Sequence, residues 1–359
     1  MSLIHIAQWP DAVPAGRLRI LEAALDAGVP FPHGCGSGEC GGCKCELLGG
    51  DVTCDRYSPD ALSEDERARG LILACRSRPV NDVQIRWLSD ATPLPMVKLD
   101  AVVAGIKPAG QDVVVLTLQL PERVPFHFHP GQFAKLRFGK LPSRSYSMAN
   151  QPGEGKLVFH IRVLQGGVVS QHIAGGLMPG DRVEVRGPFG DAYWQRGVRP
   201  ASLLLLAGGT GLAPLLSVLD AALGEGTPAE QIHLYHGVRM PDDLYAGDLL
   251  SWRSRQDGFR FVPVYSEAAG PQDRTGYVHE AVGEDFAVLT GAMVHVAGPQ
   301  PMVDAVRQLV TKRGVSPSWI KADAFTAAQP EKKSLWERVT GWGTTGFGNT
   351  TGFGGLDSP

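Results

Sequence analysis

Long hydrophobic runs are missing from this chain. No apolar stretch in the 359 residues reaches the roughly 18 needed to cross a bilayer as a helix, so no transmembrane span is expected. An excess of one charge is missing too. Lysine and arginine number 34 against 37 aspartates and glutamates, a net charge of −3, which gives no footing on nucleic acid or an anionic membrane surface. Met1-Ser2-Leu3-Ile4-His5-Ile6 lacks the charged start, apolar run and cleavage site of an export signal, and a cytoplasmic protein is expected. Cysteine is scarce: the six are Cys35, Cys40, Cys43, Cys45, Cys54 and Cys75. So few thiols in a long chain without an export signal argue against a disulfide framework and for reduced cysteine.

What cysteine there is stands in a pattern. Cys35, Cys40 and Cys43 have the spacing C-x4-C-x2-C, in a loop that also holds Gly34, Gly36, Gly38, Gly41 and Gly42, and Cys75 follows 32 residues after Cys43. Plant-type [2Fe–2S] clusters are held by such a loop with a distant fourth thiolate. Its glycines suit sharp turns at positive φ and bring backbone N–H groups close to the sulfides. Structural zinc is the competing reading, but its usual signature is two tight cysteine pairs and here there is one cluster and a solitary fourth residue. Cys45 and Cys54 read as small buried hydrophobes.

Three domains fit the length and the 43% hydrophobic content. Residues 1–90 carry a helical repeat of Ile20, Leu21, Ala24 and Leu25 capped by Gly28, a Ser63 N-cap followed by Glu64, Asp65 and Glu66, and a closing strand at Asp82–Trp87. A helix across a small mixed sheet is expected. Residues 91–97, with Pro93 and Pro95, form a semi-rigid linker. From 98 to 197, short strands at Val113–Leu120, Phe133–Phe138 and Leu157–Val163 alternate with Gly/Pro turns, an antiparallel β-barrel pattern. From 198 to 326, buried strands at Leu203–Ala207, Ile232–Gly237 and Met293–Gly298 alternate with helices, as in a doubly wound parallel sheet. The tail, 327–359, has a candidate short helix at Glu331–Gly343 and a near-repeat of Thr-Thr-Gly-Phe-Gly, low complexity that suits a flexible end.

Several motifs carry a resemblance. Residues 1–90 resemble plant-type ferredoxins, which implies a β-grasp domain. Arg144-Ser145-Tyr146-Ser147 matches the R-x-Y-S of the ferredoxin–NADP reductase superfamily. The likeness implies a tyrosine against the flavin ring, a serine toward its reactive nitrogen and an arginine on the pyrophosphate of FAD, sensible uses of an aromatic face and a guanidinium fork. His160-Ile161-Arg162 matches the family's strand beside the diphosphate, and Gly167-Val168-Val169-Ser170 its G-x-x-S, where a helix N-terminus meets the pyrophosphate. Gly208-Gly209-Thr210-Gly211-Leu212-Ala213-Pro214 matches the G-G-T-G-x-A-P of the nicotinamide domain, with Gly298-Pro299-Gln300-Pro301-Met302 as the second wall. The residue before that glycine is often a cysteine in the family and here is Ala297; hydride transfer needs proximity rather than an acid or base, so activity is expected to survive. Glu267 after Ser266 would repel a 2′-phosphate, which favours NADH, while Arg239 can meet an adenosine phosphate or ribose. Phe325 is the candidate aromatic near the flavin.

The order ferredoxin, flavin barrel, nicotinamide domain resembles the reductase components of bacterial multicomponent aromatic-ring-hydroxylating oxygenases, the naphthalene dioxygenase reductases among them. It implies an NADH-dependent electron-transfer flavoprotein that passes a hydride to FAD and single electrons through the [2Fe–2S] cluster to a ferredoxin or terminal oxygenase component. Reductases of soluble di-iron monooxygenases and of a deoxysugar dehydrase share related architectures, and a cluster-bearing sensor without turnover is a remoter reading. Glu39, Lys44 and Arg76 flank the ligands and are expected to form the docking face.

Overall fold

The computed structural model describes residues 2–33, 36, 38, 41–59, 61–88, 94–226, 232–247, 259–267 and 270–325. Within them the strands fall into three principal sheets and one small ladder. The expected tail, with its short helix, lies outside the described residues, as do Cys35, Glu39 and Cys40.

The first sheet is mixed. It is built from β1 (Leu3–Ile6), β2 (Val13–Pro14), β3 (Lys44–Gly49), β5 (Leu71–Leu73) and β7 (Val83–Trp87) in the order β2-β1-β7-β3-β5, and β4 (Val52–Cys54) and β6 (Ser77–Pro79) form a separate antiparallel ladder. Only β1 and β7 run parallel; the other neighbours are antiparallel. Helix α1 (Ile20–Asp26) buries Ile20, Leu21, Ala23 and Ala24 in the same core as Ile4, Ile85 and Trp87. The chain leaves it through Gly28 at φ +79, the left-handed exit that glycine adopts without a Cβ clash. Helix α2 (Glu64–Ala68) opens on a capping box, with Ser63 Oγ accepting from the Glu66 N–H and Glu66 Oε2 from the Ser63 N–H. This is the β-grasp arrangement.

The second sheet is antiparallel throughout: β8 (Val97–Pro108), β9 (Val113–Gln119), β10 (Phe133–Arg137), β11 (Arg144–Ser147), β12 (Lys156–Arg162) and β13 (Arg182–Phe189), ordered β11-β10-β13-β8-β9-β12. Its ends nearly meet where Met148 bridges Phe159, so the sheet curls into a barrel around Leu116, Leu118, Leu136, Phe159 and Val185. The long strand β8, whose Leu99, Ala101 and Val103 alternate inward, was not among the expected strands. Helix α3 (Val168–Gly175) lies beyond β12.

The third sheet is parallel: β14 (Ser202–Gly208), β15 (Ile232–Val238), β16 (Phe259–Tyr265), β17 (Ala292–Pro299) and β18 (Ile320–Phe325), ordered β16-β15-β14-β17-β18. Alternation along β14 sends Leu203, Leu205 and Ala207 toward α4 (Leu212–Gly224), and Leu204 and Leu206 toward α5 (Val278–Asp285) and α6 (Gln300–Lys312). Each leucine is wholly buried and contributes about 2 kcal/mol relative to an exposed one. A strand covered on both faces must be apolar throughout, which is why it read as a continuous run. The order reverses at β14, and in open parallel sheets the crevice at such a reversal is where ligands bind.

Candidate functional site

The cysteine loop keeps two of its four candidate ligands within the described residues. Cys43 and Cys75 are both buried, and the Cys75 N–H donates to Cys43 Sγ at 3.4 Å. A sulfur accepting a backbone N–H is stabilised as thiolate, which is what a cluster ligand must be. Gly36, Gly38 and Gly41 have φ of +70°, +84° and +75°, as the sharp turning of the loop requires. A Cβ at Gly38 would meet Arg76 Cγ at 2.8 Å, and one at Gly41 the Ala61 carbonyl at 3.0 Å. The loop therefore fits an iron–sulfur cluster.

Cys45 lies wholly buried on β3, and burial pushes its thiol far up, with Cys75 adding to the shift; it is a core hydrophobe as expected. Cys54 is not. It ends β4 in the two-stranded β4–β6 ladder and is exposed, while Val52 and Ser77 of the same ladder turn to the core. Of the expected docking residues, Lys44 is tied to Glu66 at 2.6 Å in a partly buried pair, and Arg76 lies over Gly38.

In the barrel, Arg144, Ser145, Tyr146 and Ser147 make up β11, paired only with β10 along its length. Tyr146 is half-buried, edge-on to Phe159 at 6.5 Å, and burial pushes its hydroxyl up to about 12. The Arg144 guanidinium donates to the Ser143 carbonyl at 2.8 Å. Ser147 is buried and its hydroxyl donates to Asp323 Oδ2 on β18 at 2.9 Å, tying barrel to parallel sheet. Asp323 is pushed up to about 6, chiefly by burial. Gly167 precedes α3; a Cβ there would sit 2.6 Å from Ser170 Oγ, which accepts from the Leu164 N–H and donates to the Gly167 carbonyl. In G-x-x-S the glycine thus makes room for a serine that folds back on the turn. Val168 beside it is exposed and Val169 buried. An edge strand bearing a tyrosine face and an arginine, with a tight glycine turn nearby, fits a flavin nucleotide.

The parallel sheet and the barrel share a cleft of about 450 Å³. Gly209, Thr210, Arg239, Pro299 and Met302 line it from the sheet, and Arg162 from the barrel. Gly209 has φ +54, and a Cβ there would meet nothing closer than Arg162 Nη1 at 3.7 Å, so its backbone is open to a ligand. Gly211 has another reason: a Cβ there would sit 2.0 Å from the Ala297 carbonyl oxygen. Gly298 likewise would meet Gly208 Cα at 3.1 Å, so these glycines let β17 and the turn after β14 approach. Ala297 is buried in that contact. Phe325 ends β18, half-buried, in register with Pro299.

Beneath the cleft, His236 Nε2 donates to the Gly209 carbonyl at 3.0 Å, and His160 Nδ1 lies 3.3 Å from the Tyr245 hydroxyl. Burial pushes both imidazoles down to about 4, so they are neutral and add no charge to the site. Ile161 between His160 and Arg162 faces the barrel core. Sequence reasoning missed Asp112, Asp243, Tyr245 and Tyr277, all lining the cleft. No local pattern marks them, since they come from three segments far apart in the chain, Asp243 and Tyr245 sharing one.

Family comparisons agree with the three sheets. Residues 11–80 match the 2Fe-2S iron-sulfur cluster binding domain, residues 100–194 the oxidoreductase FAD-binding domain and residues 205–308 the oxidoreductase NAD-binding domain. The reductase subunit of an aromatic O-demethylase from Amycolatopsis is 38% identical over 317 residues, 86% of this chain and 94% of that one. The chain belongs to the iron–sulfur flavoprotein reductases. This reductase is an oxidoreductase of a [2Fe–2S] cluster, FAD and a nicotinamide nucleotide. The reductase component of the naphthalene 1,2-dioxygenase/salicylate 5-hydroxylase systems of Ralstonia is 33% identical, over 85% of this chain and 93% of that one. The crystal structure of the Amycolatopsis cytochrome P450 reductase GcoB superposes with a TM-score of 0.76 at 35% identity, covering 92% of this chain and all of that one. Among the described residues no helix is long and apolar enough to cross a membrane.

Proposed function

We propose that this reductase is the NADH-oxidising electron-transfer component of an aromatic-compound oxygenase system, delivering electrons to a ferredoxin or directly to the terminal oxygenase. The observation that carries it is the position of the barrel. It is joined to the parallel sheet by the Ser147–Asp323 hydrogen bond and to the β-grasp domain by the edge-on contact of His33, two residues before Cys35, with Phe189 at 5.1 Å. Read from the C-terminal end, the order of these contacts follows the chain: parallel sheet, barrel, β-grasp domain.

When bound, NADH, FAD and the cluster supply the redox chemistry, two-electron at the nucleotide and one-electron at the iron. The chain's own task is to hold and to align. Cys35, Cys40, Cys43 and Cys75 ligate the cluster. Arg144, Ser145, Tyr146 and Ser147 hold the flavin, with His160, Ile161 and Arg162 and the turn Gly167, Val168, Val169 and Ser170 at its diphosphate side. Gly209, Thr210, Gly211, Arg239, Gly298, Pro299 and Met302 hold NADH, and Phe325 covers the flavin edge. Domain limits of 1–90, 98–197 and 198–326 follow from this division.

The test is anaerobic addition of NADH to purified holoprotein. Loss of the flavin and iron–sulfur visible absorbance is expected, and an unchanged spectrum rejects the proposal. A second acceptor is favoured by one observation: the 38% identical relative is an O-demethylase subunit and the superposing structure a cytochrome P450 reductase. Reconstituted turnover with a P450, a ferredoxin and a ring-hydroxylating oxygenase in parallel separates the three.

A further inference from the structure

Arg239 reaches the cleft with its guanidinium already engaged. Its Nε donates to Asp243 Oδ2 at 2.9 Å and its Nη2 to Asp243 Oδ1 at 3.1 Å, a two-point fork. The carboxylate is only 5% exposed and the guanidinium side chain 51%, so the acid is fixed beneath and the arginine lies over it. The geometry comes from adjacent short elements. Arg239 follows the carboxyl end of β15, and Asp243 ends the turn Pro241–Asp243.

A second strand brings a further acid to the same place. The Ser266 N–H donates to the Val238 carbonyl at 3.0 Å and the Glu267 N–H to the Arg239 carbonyl at 2.8 Å. Glu267 and Asp112 both stabilise the charged Arg239, after Asp243, whose hydrogen bonds are the largest influence. The other arginine of the cleft, Arg162, is held in the same way by Asp112, Nε to Oδ2 at 2.7 Å. Each arginine therefore has a carboxylate partner before any nucleotide arrives. A phosphate monoester, carrying about −1.5 to −2 charge, would have to compete with Asp243 for Arg239 and lie beside Glu267. A ribose hydroxyl needs no such competition, because Nη1 of Arg239 lies outside the fork and can donate to a neutral oxygen.

We propose that Asp243 is a specificity-determining residue of the nicotinamide-nucleotide site: by holding Arg239 in a two-point ion pair beside Glu267, it denies that arginine to a 2′-phosphate and leaves a site for an unmodified ribose. The proposal rests on the NADH reading above and adds the residue that enforces it. Removing the carboxylate charge frees Arg239 to pair with phosphate.

Titration calorimetry on the full-length holoprotein tests it, with 5′-AMP and 2′,5′-ADP as probes. Wild type is expected to bind 5′-AMP at least as tightly as 2′,5′-ADP. In Asp243→Asn the affinity ratio shifts toward 2′,5′-ADP by about tenfold or more, the scale of a charge-assisted hydrogen bond. In the double variant D243N/R239Q the shift disappears. Asp243→Ser is run beside it, with melting curves, and must shift the ratio in the same direction. An unchanged ratio in both folded single variants overturns the proposal, as does a shift that survives R239Q. Tighter wild-type binding of 2′,5′-ADP overturns the NADH reading itself, and is seen before any variant is made.

Discussion

Gly211→Ala isolates a steric demand from a conformational one. An ideal Cβ at 211 lies 2.0 Å from the Ala297 carbonyl oxygen, 2.5 Å from its carbon and 3.0 Å from the Gly298 nitrogen. These are main-chain atoms of β17, held by β14 on one side and β18 on the other, so they cannot turn aside. Gly211 itself has φ −58 and ψ −13, ordinary helical angles, so the added methyl carries no backbone strain. To reach a 3.4 Å contact the start of α4 must move by about 1.4 Å, yet Leu212, Leu215 and Leu216 bury that helix against the sheet. Overpacking of this kind costs about 1–3 kcal/mol, and with backbone on both sides the upper end applies. Gly209→Ala is the contrast. Its φ is +54 and its surroundings are open, so the cost is the left-handed conformation alone, about 1 kcal/mol. At about 2–4 °C per kcal/mol for a domain of this size, G211A lowers the melting temperature by roughly 6–12 °C and G209A by roughly 2–4 °C. Far-ultraviolet circular dichroism of FAD-loaded protein reads both. Equal shifts, or a G211A protein melting with wild type, would refute the close-approach account.

Asp323→Asn tests burial at the barrel–sheet junction. A carboxyl near 6 in the fold and about 4 unfolded binds its proton more tightly when folded, so its contribution to stability falls as pH rises from about 4 to about 6 and is flat above. The asparagine still accepts from Ser147, removes that slope and stabilises FAD-depleted protein above pH 6 by up to about 3 kcal/mol; identical pH profiles for the two proteins would sink the idea. Cys75→Ser should abolish the iron–sulfur absorbance but leave NADH-driven ferricyanide reduction, and loss of both would mean that the flavin site depends on the cluster domain. Lys44→Ala breaks the 2.6 Å pair with Glu66 and should cost about 1 kcal/mol in thermal stability without raising the KM for the electron acceptor; a raised KM would return Lys44 to the docking face.

How much of this was legible depended on range. The helical stripe at Ile20–Leu25, the Ser63 cap and the apolar run of β14 are local patterns, and each formed the expected element. Strands β16 and β18 escaped notice because Arg260 and Pro263 interrupt one and Lys321 and Asp323 the other, whereas β8, with Leu99, Ala101 and Val103 alternating inward, was legible in the residues. Cys54 was misjudged because residue type says nothing of which residue of a short ladder turns to the core, as Val52 and Ser77 do, and which to solvent. The nucleotide motif was legible, but the residues alone do not show that only Gly209 among its glycines is open, whereas Gly208, Gly211 and Gly298 closely approach protein atoms.

By itself the sequence determined the chemistry available. Thiolates at the spacing of a cluster loop, an aromatic beside an arginine on one strand and a glycine turn after a buried strand are short-range arrangements, and short-range arrangements are written in residue order. Only the tertiary structure decided how these groups are partnered. Ser147 meets Asp323 from 176 residues away, Arg162 meets Asp112 from 50, and His160 and Tyr245 come together from 85. Such pairings follow from which strand ends open on the same crevice, and that is fixed by burial of both faces of the parallel sheet and closure of the barrel. Arg239 shows the difference best: its place after a buried strand was plain from the residues, while the acid that occupies it came from the fold.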